Sequence, residues 1–246
     1  MPFWIERVAG VIALMMLFGL AGGAVRAQDS ARQNNAAATN IITDRLTGKD
    51  LRRWEAIKRI VFAEDIEGQP LHPTLRGLWE KLERSGHLIY IEMRGMGRAI
   101  SNTAGLFHIE RLDPEGVRHV AIIRLYPETI DRAYVGPSAG VEGFIPFQGL
   151  SKEERYAEVL GHEMAHAVHI LSDPARARMV KEVVQETNEL FLSYGRQYGY
   201  ANVGPEIQRR LNIRDALLKE LEEPADAAER LVWREILWSR EARSGK

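Results

Sequence analysis

Apolar residues recur three and four apart at both ends of this chain and run together or alternate in its middle, so the pattern divides it into helical flanks around a β-rich centre. Leu51, Trp54, Ile57, Ile60 and Val61 share one face of a helix over residues 50–63, and Leu75, Leu78, Trp79 and Leu82 predict a second, short one that ends before Gly86. Trp54 and Trp79 could line a cleft, but aromatics at helical spacing read first as core. Leu88 to Met93 has strand composition. The runs Leu106–Leu112 and Val117–Tyr126 flank Asp113-Pro114-Glu115-Gly116, whose Asp, Pro and Gly stand where a type I turn wants them, so the two runs form a β-hairpin. Ser151 and Glu154 then make a capping box, and Tyr156, Val159, Leu160, Met164, Ala167, Val168 and Leu171 carry a long helix to Ser172-Asp173-Pro174. Beyond it the period stays helical: one helix through Met179, Val183, Val184, Leu190, Phe191 and Tyr194, another over Ile207–Leu221, and a last one over Ala227–Trp238 before a polar tail.

The expected fold class is therefore α+β, mainly helical, with a small, mostly antiparallel sheet preceding the long helix. With 246 residues and 45% apolar content the chain can bury one substantial core. A formal net charge of −1 offers no electrostatic footprint for nucleic acid, which is dropped as a partner. Residues 8–20 form an apolar run behind Arg7, and Val25-Arg26-Ala27 supplies small residues at a cleavage position, so residues 1–27 read as a secretory signal peptide cut after Ala27. The competing reading is a retained anchor, the one way this chain would meet a membrane. Residues 28–50, polar and Ala/Asn-rich over Gln28–Asn40, are assigned to a flexible linker. One domain fills residues 51–246, helical over 51–86, β-rich over 87–150 and helical over 151–246. The absence of cysteine excludes disulfide stapling, thiolate ligands and a cysteine nucleophile, and the compartment expected is periplasmic or extracellular.

The long helix carries His162-Glu163-Met164-Ala165-His166. Residues four apart share a helix face, so His162 and His166 can offer two imidazole nitrogens to one zinc ion, while Glu163 stands beside the ion where it can take a proton from a zinc-activated water. A pair of surface histidines with a solvated Glu163 is the plain alternative. His108 and His119 on the hairpin could serve as extra ligands or proton donors, but strand histidines without a visible partner are usually structural. His72 and His87 carry less signal still.

Over residues 151–171 the chain resembles the zincin metallopeptidases, whose active-site helix bears such a pentad. The resemblance implies a zinc-dependent peptidase, an endopeptidase before an exopeptidase, acting on peptide or protein. It also implies an edge strand beside the helix where substrate adds by main-chain hydrogen bonds, with Val120–Tyr126 as the candidate. Metzincins would need a glycine at His169 and a histidine at Ser172, so the third ligand comes from elsewhere, and a downstream Glu is the gluzincin solution. Glu222-Glu223-Pro224-Ala225-Asp226 fits the E-x-x-A-D pattern of CAAX-prenyl-endopeptidase-like families, which implies Glu222 as ligand and Asp226 as the brace of a ligand histidine. Glu186 and Glu182 compete by their spacing from His166. Pro224 suits the start of a new helix, which would take Glu222 off the face of Asp226 and let Glu223 or Glu229 substitute. Tyr126, Tyr134 and His119 are candidates for stabilising an oxyanion. A different class stays open beside the peptidase: a non-catalytic periplasmic binding or scaffold protein with a structural or vestigial zinc site.

Overall fold

The computed structural model describes residues 39–95, 103–132, 147–198 and 204–244; the signal-peptide segment, most of the linker and Tyr134 lie outside them. In chain order the elements are β1 (Ile41–Ile42), α1 (Gly48–Val61), α2 (Pro73–Arg84), β2 (Leu88–Met93), β3 (Gly105–Arg111), β4 (Val120–Leu125), a short α3 (Pro127–Asp131), α4 (Lys152–Leu171), α5 (Pro174–Met179), a π-helical stretch Val180–Glu186, α6 (Thr187–Tyr198) and α7 (Pro205–Ser244). The α+β class and the helical flanks are as the periodicity requires. Ile41 and Ile42, within the stretch assigned to the linker, pair with Ile89 and Tyr90 of β2, and Ile41 and Leu46 are buried, so this part of the stretch is built into the fold.

The hairpin forms as its turn dictates. Gly116 N–H donates to Asp113 O at 3.0 Å, and the Asp113 carboxylate accepts from Val117 and Arg118 N–H at 2.8 and 2.7 Å. The sheet, however, is mixed, not mostly antiparallel. Its order is β1-β2-β4-β3, with β1–β2 and β2–β4 parallel and β3–β4 antiparallel. A turn fixes only the strands it joins; β2 finds β4 across a long connection, and β4, buried at every position and apolar at all but Arg124, which pairs with Glu92 of β2, has the burial of a parallel interior strand. Val120–Tyr126 is consequently not an edge. β3 is, with no strand on its outer side among the described residues.

One core joins the sheet, α1, α2, α4 and α7: Trp54, Ile57, Leu75, Ile89, Ile123, Leu160, Met164, Leu221 and Val232 all belong to it. Trp54 and Trp79 lie within it, their rings 5.8 Å apart. Two devices lock α7 onto α4. The capping box of Ser151 and Glu154 is formed, and Glu154 also pairs with Arg240, whose Nη1 donates to Gly149 O at 2.6 Å. Farther along, Gly161 allows close approach, since a Cβ there would meet Val232 Cγ2 at 3.0 Å. Contacts of residue 154 with 240, 161 with 232 and 166 with 222 show that the two helices run antiparallel.

The two C-terminal helices expected around Pro224 are a single helix of 40 residues, about 60 Å long, with Pro224 inside it. Proline removes one backbone donor and crowds the preceding turn at a cost of about 3 kcal/mol. Burial of Leu221, Ala225, Val232 and Ile236 against the core offsets that locally and keeps the helix continuous. Glu222, Asp226 and Glu229, spaced four and three apart, therefore share one face.

Candidate metal centre

That face meets the histidines of α4. His162 Nε2 and His166 Nε2 are 3.1 Å apart, and Glu222 Oε2 lies 3.4 Å from the first and 3.6 Å from the second. A tetrahedral ion with bonds of about 2.0–2.2 Å holds its ligand atoms about 3.3–3.6 Å apart, so the three donors are spaced as one small cation would space them. Two ring nitrogens this close also repel through their lone pairs unless a proton or a cation lies between them. The side chains of His162 and Glu222 are 17% and 23% exposed, which leaves the group open to solvent on one side.

The electrostatics favour positive charge at this point. Burial would lower the pKa of His162, but hydrogen bonds to Glu222 and Glu229 more than offset it and hold the imidazole well above its ordinary value. Burial would raise that of Glu222, yet His166 and His162 hold it well below the usual carboxylate range. A donor set of two imidazoles and one ionised carboxylate is what zinc takes in open sites with three protein ligands. The residues present thus fit the group.

Glu163 belongs to the same helix turn but not to the donor triangle. Its buried side chain packs over the first residue of β3: a Cβ on Gly105 would stand 2.5 Å from Glu163 Oε1 and 2.7 Å from its Cγ. Only glycine leaves room there for the carboxyl group. Burial raises the pKa of Glu163, and the nearby histidines only partly counter it, so the group is a stronger base than an exposed glutamate.

On the other side of His162, Glu229 Oε2 lies 3.2 Å from Nδ1 and Asp226 Oδ1 lies 3.9 Å away. The brace implied for Asp226 is thus longer than a hydrogen bond, and Glu229, weighed from the sequence only as a substitute ligand, occupies that place. The signal that finds it is the seven-residue interval from Glu222 on an unbroken helix, which the reading of Pro224 as a helix start concealed.

The competing acids are elsewhere. Glu182 and Glu186 lie exposed on the π-helical stretch, and Glu223 is exposed on α7. His108 accepts from Gln185 Nε2 at 2.7 Å, and burial pushes its pKa down to about 4. His119 is 1% exposed near the hairpin turn, where Asp113 N–H donates to its Nδ1 at 3.0 Å, so it takes no part at the centre. Tyr126 is fully buried; that burial, with the Glu163 charge adding to it, pushes its phenol up to about 12. Comparison of the chain with protein-family models, with curated proteins and with solved structures returns no match.

Proposed function

We propose that this protein is a zinc-dependent peptidase of gluzincin type, in which His162, His166 and Glu222 hold the ion and Glu163 is the general base. The observation that carries the reading is the triangle of 3.1, 3.4 and 3.6 Å on two helices, with Glu163 beside it and outside it. When bound, zinc supplies Lewis-acid polarisation of a peptide carbonyl and of water. Glu163 accepts the proton of the attacking water and delivers it to the departing amine nitrogen. Its raised pKa suits both halves of that task, since a base poised nearer neutrality takes and returns a proton with less loss.

A peptide substrate lies along the outer edge of β3, whose first residue, Gly105, faces Glu163. Lys181 Nζ donates to Ile109 O at 3.0 Å, so the open part of this edge is its beginning, next to the general base. A structural zinc site would be closed by a fourth protein ligand, and among the described residues no fourth donor joins His162, His166 and Glu222. That favours the peptidase over a scaffold with a structural ion. Export to the periplasm or exterior is part of the proposal and rests on residues 1–27; no helix among the described residues is long and apolar enough to cross a membrane.

The test is Glu163→Gln. The variant keeps the side-chain volume, so it binds zinc as tightly as the wild type while peptide-library digestion falls by about 10²- to 10⁴-fold, the worth of a general base. Undiminished cleavage removes Glu163 from the mechanism.

A further inference from the structure

We propose that Glu229, and not Asp226, is the residue that orients His162, a positioning role that rests on the metal-site reading above. An imidazole can present Nε2 to an ion only if the remaining proton sits on Nδ1, and something must hold that proton and the ring plane. Glu229 Oε2 is 3.2 Å from Nδ1, within reach of an N–H donor, whereas Asp226 Oδ1 at 3.9 Å is not. The Glu229 side chain is 9% exposed, less than the 13% of Asp226, so its carboxylate is the more firmly held of the two. Burial of the Glu229 carboxylate also strengthens the bond, because water competes little for it.

The helix supplies the reason. Continuing α7 through Pro224 places the third acid of the face, seven residues from Glu222, level with the far side of the His162 ring. The extra methylene of Glu over Asp lets its carboxylate reach Nδ1. One helix face thus acts on both nitrogens of the same imidazole: Glu222 lies 3.4 Å from Nε2, and Glu229 accepts from Nδ1–H. Any shift of α7 along α4 moves ligand and brace together.

Glu229→Ala, Glu229→Gln and Asp226→Asn are compared with the wild type in two measurements: zinc affinity by competition with a chromogenic chelator, and the histidine N–H signals of the zinc-loaded, ¹⁵N-labelled protein. Loss of such a partner costs about 10- to 100-fold in affinity, so Glu229→Ala falls by that factor. Glu229→Gln, which keeps an acceptor oxygen and loses the charge, falls by less, and Asp226→Asn stays within about threefold. In the wild type and Asp226→Asn the His162 Nδ1–H is seen as a slowly exchanging proton; in Glu229→Ala it exchanges too fast to observe. A merely structural role for Glu229 leaves that proton in place. Circular dichroism of the chelated proteins establishes that each variant folds, and if Glu229→Ala does not, the Glu229→Gln and Asp226→Asn pair decides. Asp226→Asn losing more zinc than Glu229→Ala, or Glu229→Ala retaining affinity and proton signal, overturns the proposal while leaving the metal site standing. A wild type that takes up no zinc overturns both.

Discussion

Two pairs of neighbouring histidines sit in this protein at almost the same separation, and they are prepared for opposite things. His162 and His166 have ring centroids 4.8 Å apart, and His87 and His119 have theirs 4.9 Å apart. Around the first pair stand side-chain carboxylates, with Glu222 on one nitrogen of His162 and Glu229 on the other. Around the second stand backbone groups. His87 Nε2 donates to Leu171 O at 3.1 Å, its Nδ1 accepts from His119 N–H at 3.2 Å, and His119 Nδ1 accepts from Asp113 N–H. Those bonds consume the lone pairs a metal would need. Burial, the largest effect on both, lowers the pKa of His87 and His119, whereas carboxylates reverse it at His162. What fits a histidine pair to hold a cation is therefore the charge of its neighbours and not the proximity of its rings.

Removing one histidine from each pair has the largest and most divergent effects. His166→Ala is expected to weaken zinc binding on the order of a thousandfold, since apparent zinc-binding energies of about 10–16 kcal/mol are shared among a few ligands. His119→Ala leaves zinc affinity within about threefold and costs about 2 kcal/mol of stability instead, the worth of a buried hydrogen bond and lost packing. Chelator competition and urea unfolding of both variants check this.

A smaller effect of burial, read by pH, belongs to a histidine outside both pairs. His72, at the entry to α2 and 3% exposed, is pushed by burial to about 4 from 6.5. Its folded pKa is lower than its unfolded one, so the unfolded chain binds the proton more readily. Its share of stability is full above about pH 6.5 and is lost as pH falls toward 4. By pH 5 the loss from His72 is about 2 kcal/mol. Urea unfolding of the chelated protein at pH 7 and pH 5 should show a drop smaller by about that amount in His72→Asn than in the wild type.

Much of this was legible in the sequence where the signal is local. The capping box at Ser151 and the turn at Asp113 fix their own geometry within a few residues, and both are formed. The pairing of His162 with His166 needs only the helix period. What the sequence conceals is tertiary. The partner of β2 is chosen by burial on both faces of β4, which no turn encodes. The course of α7 through Pro224 is a case of packing overriding a local breaker, and with it went the alignment of Glu222, Asp226 and Glu229. Gly105, one residue ahead of the predicted strand Leu106–Leu112, carries no sequence signal of its own; its role follows only from the Glu163 carboxyl packed above it.

Whether Glu222 completes the proposed site from across the helix pair is decided by the zinc affinity of the wild type, Glu222→Gln and Glu186→Gln, measured by competition with a chromogenic chelator. Completion of the site by Glu222 predicts one ion per chain in the wild type, a loss on the order of a hundredfold or more in Glu222→Gln, and no change in Glu186→Gln, whose side chain is exposed on the π-helical stretch. Zinc retained by Glu222→Gln and lost by Glu186→Gln would contradict it.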